Sequence, residues 1–235
     1  VLSQEKRFEK AAKSMTQKPL EEEQIQLFFS DIEPLATSKV LVRLENETLS
    51  IGEKILAQGL HLTVRAQEKI GIIGPNGVGK STLLAKLHQL LSGKREISLG
   101  FMPQDYQETL QLDLSPVEFL SQTGHKEEIQ KIQSHLASLN FSYPEMHHQI
   151  HSLSGGQQGK LLILNLVLRK PNFLLLDEPT RNFSPTSQPE IRKLFANYSG
   201  GLVTVSHDRR FLKEVCTSIY SLTEHGLEVV DLQDL

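Results

Sequence analysis

The sequence predicts an α/β fold whose parallel sheet gathers its chemistry along one edge. Three observations predict it. Gly74-Pro75-Asn76-Gly77-Val78-Gly79-Lys80-Ser81-Thr82 fits the pattern G-x-x-x-x-G-K-[ST]. The short apolar run Ile70-Gly71-Ile72-Ile73 precedes it, and Ser81 to Leu87 reads as the first turns of a helix, so the loop lies where a strand passes into a helix. Phe173-Leu174-Leu175-Leu176 is apolar throughout, as a strand covered on both faces is, and it delivers Asp177 and Glu178. Leu202-Val203-Thr204-Val205-Ser206 is a further strand, and it delivers His207.

Composition bounds the rest. The 235 residues suit one large domain, or one domain with an appendage. Hydrophobic residues make up 38% and charged residues 23%, which supports a packed core and excludes a disordered chain. A net charge of −3 argues against coating nucleic acid through bulk charge, though a local basic patch stays open. The single cysteine, Cys216, excludes an internal disulfide and fits a reducing, cytoplasmic compartment. No apolar run is long enough for a membrane helix, and no signal peptide pattern opens the chain. The first residue is Val rather than Met, from which an excised or processed fragment is expected.

In chain order, Val1 to Lys18 is highly charged, with Phe8, Ala11, Ala12 and Met15 spaced as a thin apolar helical stripe that Pro19 ends. Gln24 to Ser50 reads as antiparallel strands with turns at Glu33-Pro34 and Ile51-Gly52, and His61 to Val64 as another strand. The helix after the glycine-rich loop is expected to end near Leu91-Ser92-Gly93. Ile97 to Met102 reads as a strand stopped by Pro103, and Gln104 follows it. Ser115 to Leu139 reads as helix, and Asn140 to His151 as loop. His147, His148 and His151 lie in that polar stretch without a Cys or acid at ligand spacing, so they read as solvent-exposed. Ser154 is a good N-cap before Gly155 and Gly156, opening an apolar helix that Pro171 closes. Cys216 to Leu235 reads as one or two edge strands.

These residue types in this order suit a nucleoside triphosphate. The glycines bend the backbone around an oxyanion, and the free N–H groups of the loop and first helical turn point at it. Lys80 would add a point charge between the β- and γ-phosphates, and the Ser81 hydroxyl would ligate Mg²⁺. Strand alternation would send Asp177 and Glu178 to different faces, Asp177 toward Mg²⁺ and Glu178 toward the water that attacks the γ-phosphate. His207 would bond the γ-phosphate and the Glu178 carboxylate. Gln104 offers an oxygen to Mg²⁺ and an amide to that water. The Ser154-Gly155-Gly156 helix start is physically a second anion site.

Together these motifs resemble the ATP-binding cassette family. Gly74 to Thr82 looks like its Walker A loop, Gln104 its Q-loop glutamine, Leu153 to Gln157 its signature, Leu174 to Glu178 its Walker B strand with catalytic glutamate, and His207 its switch histidine. The resemblance implies ATP and Mg²⁺ as ligands. It implies a P-loop NTPase with a RecA-like core, an antiparallel β-subdomain and a helical subdomain at about 106–157, the cassette spanning 36–235. It also implies a second cassette, on the same chain or in a homodimer, whose nucleotide the signature residues Ser154, Gly155 and Gly156 would cap in trans. More finely, Asp177-Glu178-Pro179-Thr180, the run Ser206 to Phe211 and the charged start look like the second cassette of an ABC-F protein, with residues 1–35 as the end of a largely helical interdomain linker. Such proteins act on the ribosome, in translation or antibiotic resistance, and do not enter the membrane. A cassette powering a membrane transporter subunit and a clamp that binds without hydrolysis are the alternatives. Two departures stand out. Arg181-Asn182-Phe183-Ser184 replaces the family's Asp-bearing D-loop, and Ile51 falls where an aromatic usually stacks on adenine, which leaves only an apolar contact and admits GTP.

Overall fold

The computed structural model describes residues 27–235. The charged helix with its thin apolar stripe expected over Val1 to Lys18, and most of the expected linker, lie outside them. The strands are β1 (Val40–Ile51), β2 (Lys54–Arg65), β3 (Lys69–Ile73), β4 (Leu99–Met102), β5 (Phe173–Asp177), β6 (Gly201–Val205), β7 (Ser218–Thr223) and β8 (Gly226–Val230). The helices are α1 (Lys80–Leu91), α2 (Pro116–Leu120), α3 (Lys126–Ser138), α4 (Tyr143–His147), α5 (Gly155–Arg169), α6 (Gln188–Ala196) and α7 (Arg209–Val215). None of the described helices is long and apolar enough to cross a membrane.

β1 and β2 form an antiparallel hairpin. Leu60, Leu62 and Val64 alternate into the core, as the pleat requires, and Gly52 takes the left-handed turn at the tip. The other six strands form one sheet in the order β4-β5-β6-β3-β7-β8. All its pairings are parallel except β7 with β8. Strand β5 explains why its sequence is apolar throughout. Phe173 and Leu175 face the hairpin and α1, while Leu174 and Leu176 face the cluster built on α5, α6 and α7. Each fully buried leucine here contributes about 2 kcal/mol of transfer free energy.

Three sequence expectations change. Among the described residues no strand forms before Val40. Leu27, Phe29 and Ile32 pack as side chains on the α5–α7 face instead, Phe29 lying 4.8 Å from the Tyr198 ring edge-on. The helix expected over 115–139 is two helices. The Glu128 carboxylate collects N–H groups from Gln122, Thr123 and Gly124 and the hydroxyls of Ser121 and Thr123, pinning a turn in which Gly124 is left-handed. Those donors pull the Glu128 pKa down to about 2. The stretch read as loop from Asn140 contains α4, started by a capping box of Ser142 and Glu145, and a 3₁₀ turn at Ile150–Ser152. The expected edge strand at the C-terminal end is β8; β7 pairs on both sides.

Gly201, at the start of β6, shows how tightly the sheet is joined to the hairpin. A Cβ there would stand 2.3 Å from the Ala66 carbonyl oxygen and 2.7 Å from the Phe173 ring. Because the first of these is backbone, it cannot swing away. Gly201→Ala is expected to destabilise the chain by about 1–3 kcal/mol through overpacking. A urea midpoint unchanged by the substitution would contradict it.

Candidate functional site

Four parallel strands end on one side of the sheet, and each hands a polar group to the same place. β3 runs into the glycine-rich loop, β4 leads to Gln104, β5 ends in Asp177, and β6 is followed by Ser206 and His207. The loop needs its glycines for two separate reasons. Gly74, Gly77 and Gly79 have φ of 145°, 80° and 105°. Gly74 also sits 2.5 Å, by its absent Cβ, from the Leu222 carbonyl, and Gly79 is wedged against Leu49 and Leu56. Behind the loop, Lys80 arches back and donates from Nζ to the carbonyls of Gly74 and Pro75, both at 2.8 Å. Burial lowers its pKa, against the pull of Glu178 and Asp177.

Asp177 is buried and takes a hydrogen bond from the Ser81 hydroxyl. Burial pushes its pKa up, and Ser81, Lys80 and Arg181 oppose the rise. Glu178 leaves the strand. Its φ is 51°, and its N–H donates to the Val205 carbonyl at 2.9 Å. The two acids therefore part company through a left-handed residue, not through pleat alternation alone as the sequence suggested. The Glu178 side chain is only 11% exposed. Burial raises its pKa too, chiefly offset by the His207 N–H. That N–H donates to Glu178 Oε2 at 3.3 Å, and His207 Nε2 lies 3.6 Å from Oε1. His207 itself is held by its neighbour: Asp208 caps α7 through the N–H groups of Arg210 and Phe211 and faces Arg192 at 4.0 Å.

These groups surround a cavity of about 590 Å³ lined by Ile51, Leu56, Asn76, Gly77, Gly79, Lys80, Ser81, Thr82, Gln104, Asp177, Glu178, Arg181, Val205 and His207. Of the residues named from sequence, Gly74, Pro75 and Val78 do not line it. Gly74 and Pro75 hold Lys80, and Val78 packs into the hairpin cluster. Ile51 is 60% exposed at the hairpin tip and forms, with Leu56, the apolar end. Sequence reading missed Leu56, Val205 and Arg181. Arg181 had a signal, the departure in its loop; Leu56 had none, since only the hairpin's fold turns it toward the loop.

Ser154, Gly155 and Gly156 do not line this cavity. Ser154 forms a capping box with Gln157, whose amide donates to Glu145 Oε1 at 2.6 Å, so the start of α5 is braced by α4. Gly155 faces open space. The His147 ring lies tilted against that of Tyr143 and hydrogen-bonds with Gln133. Among the described residues no group of three or more His, Cys, Asp or Glu is placed to hold a metal ion by itself.

The arrangement can accept a polyanion at the loop, carry a cation between Ser81, Gln104 and Asp177, and hold a water against Glu178. Comparisons with known proteins give the family and the fold. A family model described as ABC transporter matches residues 57–181. ABC transporter F family member 2 of Arabidopsis thaliana is 28% identical over 234 residues, 96% of this chain and 34% of that protein. Ribosome protection protein VmlR of Bacillus subtilis is 29% identical over 234 residues, 97% of this chain and 42% of that protein. The chain thus spans about a third of the length of the curated relatives it matches. The dimeric post-hydrolysis structure of the ATP-binding cassette MJ0796 bound to ADP and Pi shares the fold, with a TM-score of 0.65 at 20% identity, over 81% of this chain and 98% of that one.

The burial of Glu178 carries a pH dependence. Its folded pKa is raised, so its contribution to stability is full below the ordinary glutamate value and lost as pH rises through the folded value. Once Glu178 ionises, the nucleotide-free chain carries a buried charge that Glu178→Gln would remove. The variant is expected to melt higher at pH 7.5, by about 2–4 °C for each kcal/mol recovered, with the gain shrinking toward pH 5. A gain that grows on acidification would contradict this.

Proposed function

The chain belongs to the ABC transporter family of ATP-binding proteins, and on that premise we propose that it binds and hydrolyses ATP as one cassette of a longer ABC-F-type protein that works on the ribosome. The observation that carries the reading is the convergence of Lys80, Asp177, Glu178 and His207, from the ends of separate elements, on one cavity. The residues fit a magnesium–triphosphate ligand. The loop glycines take positive φ values that side chains would resist, and Ser81 and Asp177 already meet as a hydroxyl–carboxylate pair.

In this reading the N–H groups of residues 76–82 and the Lys80 ammonium bind the phosphates. Ser81, Asp177 and Gln104 hold Mg²⁺, which when bound neutralises charge on the phosphate oxygens. Glu178 orients the attacking water and takes its proton. A carboxyl whose pKa burial has raised is better matched to that task near neutral pH than an exposed one. His207 holds Glu178 in place through its N–H and ring. Ile51 and Leu56 cover the base by apolar contact alone, which tolerates GTP.

The start of α5 does not line the chain's own cavity, so the reading gives it a second cassette's nucleotide to cap. The dimeric state of MJ0796 supports that arrangement. The ribosomal part of the reading is supported by the likeness to VmlR, and a protein that works on the ribosome would act in the cytoplasm.

Lys80→Ala is expected to weaken Mg-ATP binding by about tenfold or more, measured by equilibrium dialysis. Glu178→Gln is expected to keep ATP but to lose turnover by about a hundredfold or more. Unchanged turnover removes Glu178 from its role. Wild-type hydrolysis should be slow and rise per molecule with protein concentration; a fast, concentration-independent rate removes the need for a second cassette. For the ribosome, the Glu178→Gln variant should co-sediment with ribosomes in ATP and not in ADP, and no ATP-dependent pelleting would sink that part of the reading.

A further inference from the structure

The loop after Glu178 is clamped from outside. Arg181 N–H donates to the Glu178 carbonyl at 3.1 Å and Phe183 N–H to Thr180 at 3.2 Å, closing successive turns. The Asn182 carbonyl lies 3.3 Å from where a Cβ on Gly156 would stand. Phe183 is buried and fills the notch that Gly159 leaves in α5, its ring 2.9 Å from the missing Cβ, with the Tyr106 hydroxyl beside it at 3.1 Å. Residues 182 and 183 are therefore seated on α5 and on the segment after β4. That seating commits the preceding residue, Arg181, to the side facing the site.

Arg181 lines the 590 Å³ cavity and also an adjoining cleft of about 710 Å³. The two share one wall: Ser81, Thr82, Gln104, Asp177 and Arg181. Three of those are the groups suited to Mg²⁺, and Arg181 is the wall's cation. Its charge is felt at Asp177, whose pKa it lowers. Among the described residues no carboxylate lies within ion-pair distance of the guanidinium. Without Arg181 the cavity would set Lys80 alone against Asp177 and Glu178, a net negative lining for an anionic ligand.

Resting on the ATP reading above, we propose that Arg181 is a second cationic contact for the phosphate end of the nucleotide, and that it favours the triphosphate over the diphosphate. It stands on the wall of the metal groups, where the γ-phosphate adds its charge, while Lys80 serves the loop side. A guanidinium offers a planar fork to phosphate oxygens; an ammonium offers only a point charge.

The test is equilibrium binding of ATP and of ADP, each with Mg²⁺, to wild type, Arg181→Ala and Arg181→Lys, with thermal unfolding of each nucleotide-free variant as the folding control. Arg181→Ala is expected to weaken ATP by about tenfold or more and ADP by about threefold or less. Arg181→Lys should fall between wild type and Arg181→Ala for ATP. If Arg181→Ala fails to fold, a Lys variant that folds and discriminates ATP from ADP less well than wild type still supports the assignment. ATP affinity unchanged in the variants, or equal losses for ATP and ADP, overturns it. A wild-type chain that binds no ATP overturns the underlying reading instead.

Discussion

One register holds the site together. On β6, Val205 pairs with Ile72 on one side and with Asp177 on the other, and its carbonyl accepts the Glu178 N–H. The strand that runs into the glycine-rich loop and the strand that ends in the acids are not neighbours; β6 lies between them and sets them level. Side chains alternate faces along a strand, so a slip of one residue would turn Asp177 away from Ser81 and carry Glu178 off the cavity. The tight seat of Gly201 at the other end of β6 guards the same register.

Level strand ends make possible what the site does with burial. Asp177, Glu178 and Lys80 are charged groups drawn out of water, and each is shifted toward its neutral form as a result. What keeps them tolerable is mutual attraction and a small set of hydrogen bonds: Ser81 to Asp177, His207 N–H to Glu178, Lys80 to two loop carbonyls. Glu178 also sits at a left-handed φ, at a cost of about 1–3 kcal/mol, which persists because its N–H and its carboxylate are both held. In the proposed reading, the Asn76–Thr82 loop surface and the acids would face one ligand with opposite charge preferences, the one for phosphate and the other for a metal and a water.

The helical part stands to this site as a brace with one free end. Capping boxes start α2, α4 and α5, and the Glu145–Gln157 bond ties the second to the third. The start of α5 is thereby braced, and it does not line the chain's own cavity. Farther along α5, the Gly159 notch receives Phe183, so the same helix also steadies the loop after the acids. A helix that supports one site from behind and offers its N-terminus elsewhere fits a site shared between two cassettes.

Much of this was legible in the chain itself, because the signals are local. A glycine-rich run between a strand and a helix, an apolar strand ending in two acids, a serine before two glycines: each is a few contiguous residues whose backbone needs are written in their own side chains. The fold class and the order of the site groups follow from such runs. The sequence did not reveal where the 115–139 helix breaks, that Asn140 to His151 holds a helix, or that Leu27 to Ile32 packs as side chains without a strand. Each depends on partners that spacing does not announce, such as the several donors gathered by Glu128. Nor could it place Leu56 and Arg181 at the cavity. Those positions come from the fold of the hairpin and from Phe183 seated on α5, contacts between residues far apart in the chain, which only packing brings together.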